Sequence, residues 1–317
     1  MKHKIFVDGQ EGTTGLKINE RLNLRDDVII LKIDPQKRKD TSERKRLLNE
    51  ADIVFLCLPD AAARESVSLV ENDRTRIIDA STAHRTDDRW AYGLAELSAE
   101  HRKRIKSSMR VSVPGCFATG FNAAVYPLVK EGIIPSDYPL TCHSVSGYSG
   151  GGKKLIEQYE DITENSERLK SPRFYSLGLT HKHLPEMQKV CSLDFAPLFT
   201  PIVSCFYQGM SVAVPIMPRL LPKRLGAAEL QEFFSDYYKN EHFIRVMPYN
   251  AESNLDNGYL GAEECNGTNY LHLFVFGNDD RILLLSRLDN LGKGASGAAV
   301  QNMNIMLGID EKKGLDF

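Results

Sequence analysis

Long apolar runs are missing from this chain. The longest, Ile53–Leu58, falls far short of the ~18–20 residues that cross a bilayer, and Met1–Gln10 has no signal-peptide apolar stretch. A soluble, cytoplasmic protein with no membrane partner is therefore expected. An excess of one charge is missing too: 40 Lys and Arg stand against 42 Asp and Glu, and a net charge of −2 sets up no field to draw in nucleic acid. Cysteine is sparse. The six (Cys57, Cys116, Cys142, Cys191, Cys205, Cys265) are scattered without a Cys-x-x-Cys pair, in a chain of 317 residues that needs no disulfide staples. They are read as reduced thiols, one of which is a candidate nucleophile. Repeats, low-complexity linkers and charge blocks are absent as well, which leaves the rhythm of the apolar runs as the guide to domains. What is present, 42% hydrophobic and 26% charged residues, suffices for a sizeable core and excludes a disordered or collagen-like chain.

That rhythm begins as α/β. Lys4–Asp8 reads as a strand, then a glycine turn, then a helix over Thr14–Leu24 with Leu16 and Leu22 inward; Val28–Ile33 and Asp52–Leu58 read as buried strands, Ala61–Glu71 as a crossover helix, and Arg76–Asp79 and Arg110–Val113 as further strands. The alternation predicts an α/β, Rossmann-type doubly wound parallel sheet. After Gly115 the runs Leu140–Ser146, Ile202–Pro215, Leu271–Phe276 and Ile282–Leu288 are longer and rich in β-branched and aromatic residues, which suits an α+β domain with a mostly antiparallel sheet. The small-residue helix from Ala295 to Leu307 is expected to fold back on the first domain, giving domains 1–115 plus 295–317 and 116–294.

Four segments carry chemistry. Gly9-Gln10-Glu11-Gly12-Thr13-Thr14-Gly15 joins the first strand to the first helix, where glycines let backbone approach a pyrophosphate; its spacing is G-x-x-G-x-x-G instead of G-x-G-x-x-G, so a ligand-free tight turn competes. At the end of the second strand two cues disagree: Asp34 suits a ribose 2′-hydroxyl, while Lys37, Arg38 and Lys39 suit a 2′-phosphate. In Pro114-Gly115-Cys116-Phe117-Ala118-Thr119-Gly120, Cys116 falls at the start of a helix, where the dipole and N–H groups favour a thiolate and an oxyanion. The other five cysteines, within or beside apolar runs, are read as structural.

A nucleophilic cysteine needs a proton-handling partner, and Thr180-His181-Lys182-His183-Leu184-Pro185-Glu186 holds the only dense histidine cluster. If the segment is extended, both histidines share a face and Glu186 can orient one of them. No third ligand appears at recognisable spacing, so no metal is assigned. His143 is a lesser candidate, and His84 has no comparable setting. Ser144–Lys154 combines glycines, hydroxyls and two lysines without Walker A spacing; it suits the substrate's anionic end, and a plain flexible loop is the alternative.

The glycine turn, Pro114–Thr119, Tyr175 with His181–Glu186, and Asn290-Leu291-Gly292-Lys293-Gly294-Ala295 together resemble the shorter form of the N-acetyl-γ-glutamyl-phosphate reductases, a family of arginine biosynthesis within the aspartate-semialdehyde dehydrogenase superfamily. The resemblance runs essentially end to end. It implies NADPH-dependent conversion of N-acetyl-L-glutamyl 5-phosphate to the 5-semialdehyde through a Cys116 thioester, by a homodimer or homotetramer associating through the second domain. It further implies His183 as acid/base, with His181 and Tyr175 placing it or the substrate; Ser146, Gly147, Lys153 and Glu186 near the substrate; Gly9, Gly12, Thr13, Thr14, Gly15, Asp34 and Arg38 at the NADP(H) dinucleotide; and Asn290 near the nicotinamide. The family more often has an arginine where Lys153-Lys154 stand, which weakens the match there. Alternatives are a reductase of an aminoadipyl or aspartyl phosphate, a non-catalytic nucleotide-binding scaffold, and a cysteine hydrolase with an incidental glycine turn.

Overall fold

Short β-branched runs separated by helices build the first sheet. The computed structural model describes residues 2–161 and 166–315. Strands β1 (His3–Asp8), β2 (Val28–Leu31), β3 (Ile53–Leu56), β4 (Arg76–Asp79), β5 (Ala91–Tyr92) and β6 (Arg110–Ser112) lie in the order β2-β1-β3-β4-β6-β5, every neighbour parallel. Helices α1 (Thr13–Asn23), α2 (Thr41–Glu50), α3 (Asp60–Ser68) and α4 (Ala99–Ser107) make the connections. All four residues of β3 are buried, as a strand covered on both faces requires. Phe6, Leu47, Leu48, Val54, Leu56, Ile77 and Trp90 form a core around it.

One local expectation is corrected and one helix was not anticipated. The inward stripe of α1 is Gly15, Ile18 and Leu22, and Leu16 lies 52% exposed; the 3.6-residue period puts position 16 outside a stripe through 15, 18 and 22. Helix α2 gives no apolar-run signal, since only Leu47, Leu48 and the buried Arg44 face inward. Its start is fixed by Asp40, whose carboxylate accepts from Ser42 N and Glu43 N.

The second sheet holds β7 (Thr141–Gly147), β8 (Arg173–Phe174), β9 (Leu198–Ser204), β10 (Met210–Ile216), β11 (Ile244–Val246), β12 (Leu271–Gly277) and β13 (Ile282–Leu288), in the order β11-β12-β13-β10-β7-β9-β8. It is mixed: β7–β9 and β11–β12 are parallel and the other four pairings antiparallel. The run Ile202–Pro215 is not one strand. Residues 205–209 carry the chain from β9 on one side of β7 to β10 on the other, turning at Gly209 with φ +110°. Helices of this part are α5 (Cys116–Lys130), α6 (Lys153–Glu160), α7 (Ser166–Lys170), α8 (Leu184–Val190) and α9 (Ala227–Tyr237). Helix α5 packs on β10 and β13, and its approach is close because a Cβ at Gly120 would stand 2.7 Å from Val212 Cγ2. Alternation along β7, β10 and β13 turns Val212, Leu284 and Leu288 into the core with α5, while Val145, Ala213 and Leu285 stay half-buried on the opposite face.

The last helix, α10 (Gly297–Leu307), belongs with the first sheet: the chain divides into Met1–Pro114 with Ala295–Phe317, and Gly115–Gly294. Asn302 Nδ2 donates to Gly93 O at 2.9 Å, Gln301 Nε2 to Glu96 Oε1 at 2.8 Å, and Arg25 Nη1 to Asn304 Oδ1 at 2.6 Å. These polar anchors add to the burial of Val300, Met303, Ile305 and Met306 in holding the helix. Among the described residues no helix is long and apolar enough to cross a membrane.

Candidate active site

Gly115 caps α5 with extended backbone (φ −69°, ψ 146°) and no side-chain hydrogen bond, and the first turn carries no acidic residue. Cys116 is therefore the first helical residue of α5, at the N–H end of a helix whose own first turn adds no negative charge. The thiol is partly exposed, whereas nearly all that follows it in the helix is buried. A Cβ at Gly294 would stand 2.7 Å from Cys116 Cβ, so the Asn290–Ala295 motif brings bare backbone against the cysteine. Cys142, Cys191 and Cys265 are buried and desolvation pushes their thiols up, Cys142 to about 12. Cys205, by contrast, is exposed, which corrects its reading as a core residue: it lies in the 205–209 turn.

The histidine segment is a turn entering α8, not an extended strand. His183 is the N-cap of α8 with helical backbone (φ −87°, ψ −13°), and Pro185 in the first turn favours a helix start there. The two rings gather on Phe117, the neighbour of Cys116: centroids lie 5.8 Å from Phe117 for both His181 and His183, and 4.6 Å from each other. His183 N donates to His181 Nδ1 at 3.1 Å, which places the proton of neutral His181 on Nε2 and makes its ring a support for the His183 backbone. Tyr175 meets His181 edge-on at 5.9 Å; desolvation and then the charge of Cys116 raise its phenol above the ordinary value. Cys116, Tyr175, His181 and His183 thus share one neighbourhood.

Glu186 does something its expected substrate role did not anticipate. It is buried, and Oε2 accepts from Gly115 N at 3.0 Å, so this oxygen serves the turn that presents Cys116.

Ser146 and Gly147 end β7 beside Asn290. Asn290 Oδ1 accepts from Gly209 N at 2.8 Å and Nδ2 donates to Ser149 Oγ at 3.0 Å, tying the 146–151 loop to the 205–209 turn. Gly147 is required there, because a Cβ would stand 2.6 Å from Tyr207 O. Lys153 opens α6 with an exposed side chain, 3.9 Å from Glu157. Its side chain is exposed, whereas those of Ser146 and Asn290 are buried.

In the other unit, Gly9 turns out of β1 with φ +88°, and a Cβ there would stand 2.3 Å from Cys57 O. Gly12 N donates to Gly9 O at 3.1 Å, Thr13 and Thr14 begin α1, and a Cβ at Gly15 would stand 2.5 Å from Gly9 O. Gly12 caps α1 with no side-chain hydrogen bond, and the first turn carries no acidic residue, which suits an anion. A cavity of about 490 Å³ opens beside this turn, lined in part by Gly9, Glu11, Gly12, Ile33, Arg38 and Lys39. Asp34 is not in its lining; it is exposed and its Oδ1 accepts from Gln36 N at 2.9 Å, closing a local turn. Of the two cues after β2, the basic one faces the cavity. The glycine turn and cavity fit a dinucleotide.

Sequence reasoning passed over His84. Its Nδ1 lies 2.6 Å from Asp79 Oδ2 at the carboxyl end of β4, and its ring stacks on Trp90 at 4.1 Å. The available signal was Asp79 itself, an acidic residue at the end of a buried parallel strand. Among the described residues no group of three or more His, Cys, Asp or Glu side chains is placed to hold a metal ion.

Comparison with known proteins covers both units. The profile of the semialdehyde dehydrogenase NAD binding domain matches residues 5–105, and that of the semialdehyde dehydrogenase dimerisation domain matches residues 116–290. The chain is 49% identical over 320 aligned residues to N-acetyl-gamma-glutamyl-phosphate reductase 2 of Nostoc sp., covering 99% of each chain. It is 46% identical to N-acetyl-gamma-glutamyl-phosphate reductase of Brucella ovis, covering 97% of this chain and 100% of that one. Among solved structures, aspartate semialdehyde dehydrogenase II of Vibrio cholerae aligns with a TM-score of 0.72 at 15% identity, over 97% of this chain and 99% of that one, a likeness of fold.

Proposed function

The chain belongs to the N-acetyl-gamma-glutamyl-phosphate reductase family, and on that premise we propose that it reduces N-acetyl-L-glutamyl 5-phosphate to N-acetyl-L-glutamate 5-semialdehyde, releasing phosphate, in arginine biosynthesis. The observation that carries the mechanism is the placement of Cys116 at the start of α5, with His181 and His183 packed on the adjoining Phe117.

Cys116 attacks the acyl carbon as a thiolate: the Sγ–C bond forms, the bond to the phosphate oxygen breaks, and phosphate leaves. An acyl phosphate is activated enough for this without a metal. Backbone N–H groups of the first turn of α5 favour the negative charge that develops on the carbonyl oxygen. When bound, NADPH supplies the hydride that reduces the resulting thioester. Return of the C=O bond then breaks the Sγ–C bond and frees the semialdehyde. His183 takes the Cys116 proton before attack and returns it as the thiolate leaves, while His181 and Tyr175 place His183 and the substrate. Ser146, Gly147 and Lys153 contribute contacts to the substrate's polar groups, and Glu186 acts through the Gly115 turn.

The Gly9–Gly15 turn would hold the pyrophosphate of NADP(H), with Arg38 and Lys39 toward the 2′-phosphate; Asp34 is left to its local turn, and Asn290 would act at the nicotinamide end. The partly exposed face of the second sheet, where Val145, Ala213 and Leu285 lie beside His143 and Ser211, supports a homodimer or homotetramer through that domain. A catalytic thiolate suits a reducing compartment, the cytoplasm.

The test runs the reaction in reverse. N-acetyl-glutamate semialdehyde, phosphate and NADP are given to wild type and Cys116→Ala, and nicotinamide absorbance is followed. Phosphate-dependent reduction of NADP by wild type alone is expected. A folded wild type that binds NADP but reduces none would shift the assignment to another acyl phosphate, such as an aminoadipyl or aspartyl one.

A further inference from the structure

Six charged side chains line the cavity beside the glycine turn: the cations Arg38, Lys39 and Arg44, and the carboxylates Asp8, Glu11 and Glu65. Their formal charges cancel, which is a poor reception for a ligand carrying several phosphate charges, so which cations are available decides what binds.

Arg44 is committed. Its guanidinium reaches Asp8 Oδ2 at 3.0 Å, Ser66 Oγ at 2.5 Å and Glu65 Oε1 at 3.4 Å, and the Arg44 and Asp8 side chains are both under 10% exposed. Breaking such a pair would leave a buried, unpaired charge. Arg38 is different. Its guanidinium is paired with Glu11, a residue of the glycine turn, and both side chains are at least half exposed, so the pair is weak and exchangeable.

We propose that Glu11 is a specificity-determining residue, the resting counter-ion of Arg38 that the 2′-phosphate of the cofactor displaces. The proposal rests on the NADPH reading above. A phosphate monoester carries up to twice the charge of a carboxylate and offers three acceptor oxygens, so it competes with a carboxylate for the guanidinium. A cofactor with a 2′-hydroxyl brings no such charge and leaves the Glu11–Arg38 pair in place. Glu11 therefore opposes 2′-phosphate binding by occupying Arg38, and it holds the preference for the phosphorylated cofactor below what Arg38 and Lys39 alone would give.

The experiment measures binding of 2′,5′-ADP and 5′-AMP to the full chain by calorimetry, for wild type, Glu11→Gln, Arg38→Met and the double variant. Glu11→Gln is expected to tighten 2′,5′-ADP by about two- to five-fold, the scale of an exposed ion pair, with 5′-AMP unchanged. The gain should disappear in the Arg38→Met background and shrink at high salt. An unchanged 2′,5′-ADP affinity, an equal gain for both ligands, or a gain that survives loss of Arg38 would each overturn the exchange. Wild type that binds both ligands equally would remove the NADPH reading itself, and the proposal with it; this outcome is read before any Glu11 variant is compared.

Discussion

The carboxylate of Glu186 accepts a hydrogen bond from the backbone N–H of Gly115 at 3.0 Å, linking residues 71 positions apart. Gly115 is the cap of the helix that begins at Cys116, and Glu186 lies in the first turn of the helix that begins just after His183. One buried bond therefore joins the segment that carries the nucleophile to the segment that carries the proposed acid/base. Glu186→Ala should leave the Gly115 N–H buried without this acceptor, costing about 1–3 kcal/mol in denaturant unfolding, with a fall in kcat. Glu186→Gln keeps an amide oxygen at the same reach and should recover most of the stability. If both variants lose stability equally, the carboxylate charge matters more than the bond.

Thiol reactivity separates the cysteines. Cys116 should be the thiol alkylated fastest near neutral pH, ahead of the exposed Cys205. Cys142 should label only on unfolding, because burial pushes it up to about 12. The same shift has a stability consequence. Between the ordinary thiol value and about 12, the unfolded chain loses the Cys142 proton while the folded chain keeps it, so the folded state is progressively disfavoured as pH rises through that window. Cys142→Ala should flatten the alkaline fall of stability. Mass-spectrometric mapping of the labelled thiols and unfolding curves at pH 8 to 11 check both statements.

The two histidines should respond differently to substitution. His183→Asn should reduce turnover by about 10²–10⁴-fold with modest loss of cofactor affinity, as removal of a general acid/base does. His181 supports the His183 backbone through Nδ1, so His181→Asn, whose amide oxygen can accept a bond from His183 N, should be milder in kcat. Steady-state kinetics across pH for both variants decides the roles. A larger kcat loss in His181→Asn would exchange them.

Much of the first sheet was legible because buried parallel strands are short, apolar and punctuated by helices. Arg76–Asp79 and Ile282–Leu288 stand as strands at the bounds their apolar runs suggest. Helix α2 was not legible, since it packs Leu47, Leu48 and a paired Arg44 where pattern reading looks for an apolar stripe. The break between β9 and β10 was hidden because Cys205-Phe206-Tyr207 continues the apolar run and only Gly209 marks the turn. At the site, Cys116 was identifiable from Pro-Gly before a helix. The destination of the Glu186 carboxylate was not, because nothing local to residue 186 points to a backbone N–H 71 residues away. Asp34 was ambiguous for the opposite reason: a turn aspartate that caps its own loop has the same sequence as one that binds ribose.

The glycines of the dinucleotide turn should divide into one that the fold needs and one that the ligand needs. Gly9 has φ +88°, where a side chain is strained, and a Cβ there would stand 2.3 Å from the Cys57 carbonyl oxygen, a backbone atom that cannot swing aside. Gly9→Ala should therefore lose about 1–2 kcal/mol from backbone strain, and more from the clash, seen as a lowered Tm without any ligand. Gly12 has an ordinary φ of −74°, and its nearest neighbours to an added Cβ are 3.5 and 3.7 Å away. Gly12→Ala should leave the Tm of the free protein within a degree or two, since that site has room. Its methyl group would nonetheless occupy the approach to the first N–H groups of α1, so NADP affinity should fall by about tenfold. Equal losses of Tm in both variants would mean that the turn is a structural element alone, and unchanged NADP binding in Gly12→Ala would mean that the pyrophosphate is held elsewhere.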